Sequence, residues 1–351
     1  MKVLVTGAAG FIGMHVAERL LADGIDVFGL DNLNSYYDVR LKEARLARLR
    51  SHRNFRFERC DLADDPAIAR LFGTERFDRV VHLAAQAGVR YSLSHPQVYV
   101  DSNVRGTVNV LQGCRAIGCA HLVFASTSSV YGLNATLPSS PHHGVDHPVS
   151  LYASTKRAGE LLCHNYAHLF GLPVTALRFF TVYGPWGRPD MSPMLFAERM
   201  LKGAPIDLFN AGRHRRDFTF VDDIVDGVVR VLGAPPEGDV AWDATTADPA
   251  SSRAPFRIFN LGNGSPVELS RFIELLEQAL GVVALRRPLP MQAGDVEDTH
   301  ADIGDLQAAV GYRPLTPVEE GVRRFVEWYL AFDGPRECLS YTNRPDSPGM
   351  P

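Results

Sequence analysis

The amino-terminal segment that ends at Asp31 constrains the fold of this chain most strongly. The β-type run 2–6 predicts a strand, and residues 7–13 form a Gly-x-x-Gly-x-x-Gly turn directly after it. An amphipathic helix is predicted from this turn to about Ala22, and a second strand over residues 26–30. A strand, a glycine turn, a helix and a strand in this order are the beginning of an α/β sheet that binds a dinucleotide.

Each part of this unit has a physical use. The glycines let the backbone approach a pyrophosphate, which then lies at the positive end of the helix. Asp31, at the end of the second strand, is placed to bind the adenosine ribose hydroxyls, and its charge repels a 2′-phosphate. We therefore predict NAD rather than NADP as the cofactor. The cofactor-binding residues predicted in this unit are Gly7, Gly10, Phe11, Ile12, Gly13, Asp31 and Asn32.

Strands and helices continue to alternate along the chain, which predicts a doubly wound parallel sheet of the Rossmann type. Further strands are predicted at 55–59, 79–83, 122–125 and 174–179, and long helices at about 97–117 and 151–170. Asp61 follows the third strand, where it can either reach the adenine amino group or cap the next helix. The small residues after the fourth strand would let a cofactor lie against the backbone. The cofactor-binding residues predicted in this part are Asp61, Leu62, Leu83, Ala84, Ala85, Asn103 and Ser126, together with Tyr152 and Lys156.

A hydroxyl-rich segment and a Tyr–Lys pair follow the buried strand 122–125. Residues 126–129 read Ser-Thr-Ser-Ser at the carboxyl end of that strand, where open α/β sheets bind ligands. Ser150 can cap a helix that places Tyr152 and Lys156 one turn apart on the same face.

This spacing suggests acid–base chemistry. A phenol has a pKa of about 10, and lowering that pKa by about three units requires about 4 kcal/mol of preference for the phenolate. A lysine ammonium, a positively charged nicotinamide and a helix N-terminus could supply it together. Thr127 could hold the substrate oxygen and share its proton. A Tyr–Lys pair alone is common on helices; beside a dinucleotide site it predicts catalytic roles for Tyr152, Lys156 and Thr127.

The amino-acid composition of the chain changes after Phe180. Residues 181–194 are rich in Gly and Pro and predict an ordered, functional loop. We expect a Rossmann domain over residues 1–180, a smaller α/β substrate lobe over 181–332, and a loosely held tail over 333–351. Two later segments, near 217–234 and 257–261, are expected to pack back onto the first domain.

Composition excludes several classes of function. The net charge of -4 in 351 residues gives no reason to expect nucleic acid or an anionic membrane as a partner. No apolar run is long enough to span a bilayer, and a strand at residues 2–6 leaves no room for a signal peptide. The five cysteines form no metal-ligand pattern, so we predict no metal site, reduced thiols and a cytoplasmic location.

Together these motifs resemble the extended short-chain dehydrogenase/reductase superfamily from residue 1 to about 332. Within it, the chain looks most like the UDP-glucuronate 4-epimerases, on the segments 84–92, 179–191 and 216–219. The resemblance implies a tightly held NAD, oxidation of the sugar at C4 with Tyr152 as base, rotation of a 4-keto intermediate, and return of hydride to its other face. It also implies a homodimer, since helices 97–117 and 151–170 resemble those that pair in this superfamily.

The substrate predicted by the resemblance is a UDP-hexuronic acid. Its carboxylate needs a charge-assisted contact, for which Arg188 is the candidate, with Thr181 as a hydroxyl donor. Arg90 and Arg216 are candidates for the diphosphate, and Gln292 and Asp295 for the uridine ribose region. Thr127 and Ser128 complete the predicted substrate-binding set.

Several related activities remain open at this point. Sugar-nucleotide 4,6-dehydratases carry Asp-Glu after the catalytic Thr, and UDP-glucuronate decarboxylases tend to carry Glu at the second of these positions. Here the two positions are Ser128 and Ser129, which favours plain epimerisation. A UDP-glucose/UDP-galactose 4-epimerase, an ordinary NAD-dependent reductase and a non-catalytic NAD-sensing protein are the alternatives. The exact sugar, the preferred direction and the pathway do not follow from the sequence.

Overall fold

The computed structural model describes residues 1–292 and 295–341. Its strands are β1 (Lys2–Thr6), β2 (Asp26–Asp31), β3 (Phe55–Arg59), β4 (Arg79–His82), β5 (His121–Thr127), β6 (Val174–Phe179), β7 (Thr181–Tyr183), β8 (Ile206–Phe209), β9 (Arg215–Arg216), β10 (Phe218–Phe220), β11 (Phe256–Leu261), β12 (Val267–Glu268) and β13 (Arg286–Leu289).

The α-helices are α1 (Phe11–Ala22), α2 (Val39–Arg50), α3 (Asp65–Thr74), α4 (Tyr91–Ser94), α5 (Pro96–Tyr99), α6 (Gly106–Ile117), α7 (Leu151–Phe170), α8 (Ser192–Leu201), α9 (Val221–Gly233), α10 (Leu269–Leu280), α11 (Gly304–Val310) and α12 (Val318–Ala331). A π-helical segment, Val100–Arg105, joins α5 to α6, and short 3₁₀ turns lie at Ser128–Tyr131, Asn210–Gly212 and Arg336–Leu339.

A seven-stranded parallel sheet in the order β11-β6-β5-β4-β1-β2-β3 forms the centre of the molecule. Every residue of β5 and β6 is buried, as expected for strands covered by helices on both faces. The predicted doubly wound Rossmann fold is confirmed. Because all seven strands are parallel, their carboxyl ends lie at one edge, which brings the glycine turn, Asp31 and Thr127 to the same side of the sheet.

The later segments contribute to the central sheet and to smaller sheets. β11 pairs with β6 in the central sheet, and α9 packs against α1. Three two-stranded sheets are formed by β7 with β10, β9 with β12 and β8 with β13.

Three local predictions differ from the structure. The predicted helix 97–117 is broken into α5, the π-helical segment and α6. The loop predicted from residue 181 begins instead with β7, which pairs with β10. The tail is not loosely held over residues 333–341, because Cys338 and Leu339 are buried in the core. Residues 342–351 lie outside the described part of the chain.

No residue range was predicted for four of the helices listed above: α2, α3, α4 and α11. α2 is strongly polar, so its apolar face of Leu41, Leu46 and Leu49 is weakly marked in the sequence. α3 begins after Asp64, whose carboxylate accepts a hydrogen bond from the Ala67 amide. None of the helices within the described ranges has the length and apolar character needed to cross a bilayer.

Candidate active site

The glycine turn forms a cradle at the N-terminus of α1. A Cβ on Gly10 would lie 2.9 Å from the Gly7 carbonyl oxygen, and one on Gly7 would lie 2.8 Å from the Ala84 amide nitrogen. Gly7 also has a φ of 73°, which disfavours any side chain. The turn therefore leaves its backbone open to a ligand, and the helix N-terminus favours an anionic one.

Asp31 and Asp61 lie beside this cradle and are held by the neighbouring backbone. Asp31 accepts hydrogen bonds from the amides of Leu33 at 2.8 Å and Ala9 at 3.2 Å. Asp61 accepts a hydrogen bond from the side-chain amide of Asn32, at 2.8 Å. The hypothesis that Asp61 caps the next helix is wrong, because Asp64 caps α3. Asp61 is left facing the cavity at the carboxyl edge.

One cavity of about 350 Å³ runs along this edge of the sheet. Most of the predicted residues line it: Gly7, Gly10, Phe11, Ile12, Gly13, Asp31, Asn32, Asp61, Leu62, Leu83, Ala84, Ala85, Ser126, Thr127, Ser128, Tyr152, Lys156, Thr181 and Arg188. The predicted cofactor and catalytic residues thus share a single cavity, with Asn103 as the exception.

Asn103 lies behind the cavity wall rather than in it. Its side chain accepts from the Gln86 amide at 2.8 Å, and donates to the Gln86 carbonyl and to Thr155, both at 3.1 Å. Asn103 does not line the cavity, and its direct contact with a cofactor stays a prediction. Since Gln86 lines the cavity, Asn103 holds one wall of the site in place.

The Tyr–Lys pair is placed by the start of α7. Ser150 caps this helix as predicted, since its hydroxyl accepts from the Ala153 amide at 3.1 Å. Burial raises the pKa of Tyr152, while the charge of Arg188 and the hydroxyl of Thr127 act to lower it. Burial also lowers the pKa of Lys156 to about 8.

The charge that acts on the phenol differs from the prediction. We expected the ammonium of Lys156 to lower the pKa of Tyr152, but the protein cation that does so is Arg188. Lys156 instead lies over the ring of Phe124, with its nitrogen 4.5 Å from the ring centroid. The phenol of Tyr152 therefore shares the cavity with a hydroxyl, that of Thr127, and a guanidinium, that of Arg188, which both act to lower its pKa.

Arg188 already has a carboxylate partner. Its Nε and Nη2 atoms donate to the two oxygens of Asp190, at 3.0 and 2.5 Å. The Tyr36 phenol donates to the same carboxylate at 3.0 Å. Although burial favours the protonated form of Asp190, the guanidinium holds the pKa of this carboxyl below its usual range. Within residues 1–292 and 295–341, the hydrogen bonds of the Arg188 guanidinium use Nε and Nη2, and the residue lines the cavity.

Four other predicted substrate residues do not line the cavity: Arg90, Arg216, Gln292 and Asp295. Arg90 lies 3.8 Å from Asp295 and stacks over the ring of Phe209. Arg216 donates to the carbonyls of Val296 at 2.7 Å and Glu297 at 2.6 Å. These contacts bring Arg90, Arg216 and Asp295 into one cluster beside the lobe, as the charge of Asp295 also acts on Arg216.

Sequence reasoning missed cavity residues that come from α2 and the segment before it. Lys42 lines the cavity and donates to the Asn34 carbonyl at 2.8 Å and the Asn34 side chain at 2.9 Å. Burial lowers the pKa of Lys42 to about 8. The Asp38 cap was a usable signal for this helix, because its side chain accepts from the Arg40 amide. Among the described residues, no group of three or more His, Cys, Asp or Glu side chains is arranged to hold a metal ion.

The parallel sheet, the glycine cradle and the Tyr–Lys pair define an extended short-chain dehydrogenase/reductase. Residues 3–243 match the model of the NAD dependent epimerase/dehydratase family, and the chain belongs to that family.

The chain is similar over nearly its whole length to several named proteins. It is 49% identical over 331 residues to a probable UDP-glucuronate 4-epimerase of Rhizobium meliloti, covering 94% of this chain and 97% of the relative. A UDP-glucuronic acid 4-epimerase from Bacillus cereus, solved with UDP-glucuronic acid and NAD, superimposes with a TM-score of 0.83 at 32% identity, over 93% of this chain and 98% of that one. A UDP-glucose 4-epimerase from Thermotoga maritima, solved with UDP-glucose, superimposes with a TM-score of 0.81 at 30% identity, over 94% of this chain and 99% of that one. The backbone alone therefore does not separate the two sugars.

Proposed function

We propose that this protein is an NAD-dependent 4-epimerase that interconverts UDP-glucuronate and UDP-galacturonate through a 4-keto intermediate. The observation that carries the proposal is the shared cavity, which holds the glycine cradle and Asp31 together with Tyr152, Thr127 and Arg188. A dinucleotide site, a proton acceptor and a guanidinium in one cavity suit oxidation and re-reduction of an acidic sugar.

The cradle and the acids beside it fit NAD. The turn 7–13 would hold the diphosphate, Asp31 and Asn32 the adenosine ribose, and Asp61 and Leu62 the adenine. Leu83, Ala84, Ala85 and Ser126 would lie along the remainder of the dinucleotide. When bound, NAD accepts hydride from the sugar and returns it.

Tyr152 is the proton acceptor in this proposal. Its phenol receives the proton of the sugar 4-hydroxyl during oxidation and returns it during reduction, so one residue serves both half-reactions. The raised pKa of Tyr152 in the protein alone means that the site must favour the phenolate further when the ligands are bound. Arg188 and Thr127 already act in that direction, and Lys156, one turn further along α7, also lines the cavity.

The hydroxyls after β5 favour epimerisation over the related eliminations. Ser128 and Ser129 stand where a dehydratase or decarboxylase would carry acids. The Thr127 hydroxyl donates to that of Ser129 at 3.2 Å and accepts from the Ser129 amide at the same distance. A serine hydroxyl is too weak an acid and too weak a base to protonate or deprotonate carbon near neutral pH, so the 4-keto sugar is returned by reduction alone.

Arg188 is proposed to bind the carboxylate of the sugar, with Thr181 as a second donor. This contact also protects the intermediate, because a 4-keto uronate is a β-keto acid that loses carbon dioxide when its carboxylate is aligned with the carbonyl. A guanidinium held by Asp190 has a defined orientation and can keep the carboxylate out of that alignment.

The test removes the charge of Arg188 without leaving the charge of its partner Asp190 uncompensated. Arg188→Met alone would leave the buried Asp190 carboxylate close to the substrate carboxylate and add repulsion to the lost contact. The double variant R188M/D190N removes both charges and is the matched control. We expect UDP-glucuronate affinity to fall about tenfold to a hundredfold in the double variant, from about 1.5–3 kcal/mol for a hydrogen bond to a charge, and further in the single variant.

UDP-glucose, which has no carboxylate, should bind all three proteins similarly. Calorimetry on the NAD-loaded proteins measures both ligands, and mass spectrometry of the products detects any UDP-pentose. An equal loss for both sugars would make Arg188 a general contact. A wild-type enzyme that turns over UDP-glucose but not UDP-glucuronate would leave UDP-glucose/UDP-galactose epimerisation as the function.

The nucleotide end of the substrate is assigned to the cluster beside the lobe. Arg90 and Arg216 would meet the diphosphate, and Asp295 and Gln292 the uridine side. Gln292 supports this assignment, because its amide oxygen is buried without a hydrogen-bond partner in the described part of the chain. A nucleotide donor would satisfy that oxygen.

We also propose a homodimer, a division into a cofactor domain (1–180 with 217–234 and 257–261) and a substrate lobe (181–332), and a cytoplasmic location. Exposed apolar residues on the π-helical segment and α7 support the dimer: Val100, Leu161, Leu169 and Phe170. Light scattering on the wild type and on Leu161→Glu would test it, and a monomeric wild type would contradict it.

A further inference from the structure

Arg45, on α2, has no role in the function proposed above, although it is fully buried. A buried cation is costly unless its charge and its N–H groups are compensated. In residues 1–292 and 295–341, no carboxylate lies within 4.0 Å of its guanidinium. Its buried Nε has no hydrogen-bond partner in these residues, so the compensation comes from the neutral acceptors of Nη1 and Nη2, and their positions define what Arg45 holds.

The acceptors belong to two separate parts of the site. Nη1 donates to the Ala9 carbonyl at 3.1 Å and to the Tyr37 phenol at 2.6 Å. Nη2 donates to the carbonyls of Trp186 at 2.7 Å and Gly187 at 3.1 Å. Ala9 lies in the glycine turn, whereas Trp186 and Gly187 lie in the 184–191 loop, which also carries Arg188. One guanidinium thus joins the cofactor side of the cavity to the substrate side.

The 184–191 loop needs such a contact. Trp186 has a φ of 63°, a left-handed conformation that a residue with a side chain adopts only when its surroundings impose it. Its carbonyl and that of Gly187 point to Arg45, so the backbone direction just before Arg188 is set by these two hydrogen bonds.

We propose that Arg45 is a positioning residue, which fixes the 184–191 loop against the glycine turn and thereby sets where Arg188 stands in the cavity. The part of this proposal that concerns carboxylate binding by Arg188 rests on the proposed function. The part that concerns the position of the loop does not. A lysine cannot replace this arginine, because an ammonium has three donors and no planar fork to reach both segments.

Arg48 provides a matched control on the same helix. It stacks over the ring of Trp186, with its guanidinium carbon 5.4 Å from the ring centroid, and its Nη2 donates to Glu18 at 2.6 Å. It touches the same tryptophan but donates to no carbonyl of the loop within the described structure. Arg48→Met therefore tests loss of packing on Trp186, and Arg45→Lys tests loss of the backbone contacts.

The first measurement is hydrogen exchange of the peptide that spans residues 184–191 in the NAD-loaded proteins. We expect faster exchange in Arg45→Lys and wild-type exchange in Arg48→Met. Should Arg45→Lys fold poorly, Tyr37→Phe, which removes one acceptor of the guanidinium and keeps the ring volume, should give a smaller change in the same direction. Unchanged exchange of this peptide in both variants would overturn the proposal, whatever the substrate is.

The second measurement is a double-mutant cycle on ligand affinity. Arg45→Lys should weaken UDP-glucuronate about tenfold to a hundredfold, as expected for a displaced binding group, and change UDP-glucose little. In the R188M/D190N background the same substitution should have almost no further effect on UDP-glucuronate, since the group that it positions is gone. Equal losses for both ligands, or full additivity, would show that Arg45 supports the fold only. Failure of the wild type to epimerise UDP-glucuronate would be a failure of the proposed function and would leave the exchange result standing.

Discussion

The ion pair between Glu160 and Arg178 beneath the active site allows a quantitative test of how the site is supported. Both side chains are fully buried, and the guanidinium donates to the two carboxylate oxygens at 2.9 and 3.0 Å. The same carboxylate accepts from Ser126, which lines the cavity, at 2.6 Å, and from Arg157 at 3.0 Å. Glu160 lies one turn after Lys156 on α7, so this network ties the catalytic helix to β5 and β6.

Arg178→Met should destabilise the protein by about 3 kcal/mol. Removing one partner of a buried pair typically costs about 3–5 kcal/mol, because it leaves an uncompensated buried charge. The lower end applies here, since Arg157 and Ser126 still contact Glu160. With an m-value of about 3 kcal/mol/M, the urea midpoint should fall by about 1 M. The double variant E160M/R178M removes both charges of the pair and leaves Arg157 partly exposed and 3.9 Å from Asp146, so it should recover most of this loss.

The pH dependence gives an independent check. Burial favours protonation of Glu160, but Arg178 outweighs it and holds the pKa of Glu160 below its usual range. A carboxyl whose pKa is lower in the folded than in the unfolded protein stabilises the fold above its unfolded pKa and loses that contribution as the pH falls through its folded pKa. The stability of the wild type should therefore fall relative to that of E160M/R178M in acid, because protonation of Glu160 leaves the buried charge of Arg178 uncompensated. An Arg178→Met variant that loses less than about 1 kcal/mol, or is no less stable than the double variant, would refute this reasoning.

Three further predictions concern the cavity. Tyr152→Phe should keep NAD and the fold but lose most turnover, because the proton acceptor is gone while its volume remains; a rate near that of the wild type would contradict the assignment. Asp31 should make NADP bind far more weakly than NAD through repulsion of the 2′-phosphate, and calorimetry on cofactor-free wild type and Asp31→Asn should show this difference shrinking in the variant. Lys156→Met should stabilise the cofactor-free protein by about 3 kcal/mol near pH 7, because burial lowers the pKa of Lys156 to about 8. That gain should vanish as the pH rises through the unfolded pKa of about 10.4, which urea unfolding at several pH values would reveal.

Some side-chain environments could not be predicted from the sequence, as three arginines show: Arg90, Arg188 and Arg216. The sequence marked all three as substrate candidates, but only Arg188 lines the cavity. Arg90 and Arg216 lie with Asp295, which is far away along the chain. Which cavity wall or side-chain cluster an arginine joins depends on which segments fold together, and the residues next to it in the sequence do not specify those segments.

The sequence by itself determined the elements whose information is local. A glycine turn between a strand and a helix, the buried runs of β5 and β6, and a Tyr–Lys pair one turn apart each follow from short-range sterics and periodicity. Because parallel strands end at a common edge, these local signals were enough to bring Asp31, Thr127 and Tyr152 to one site.

Only the tertiary structure decided how the charges of that site are compensated. Asp190 pairs with Arg188, Arg45 joins the glycine turn to the 184–191 loop, and Asn103 holds the cavity wall from behind. Each of these contacts depends on the packing of helices and loops that are distant in sequence. Burial makes such polar partners obligatory, but it leaves their identity to the geometry of the folded chain.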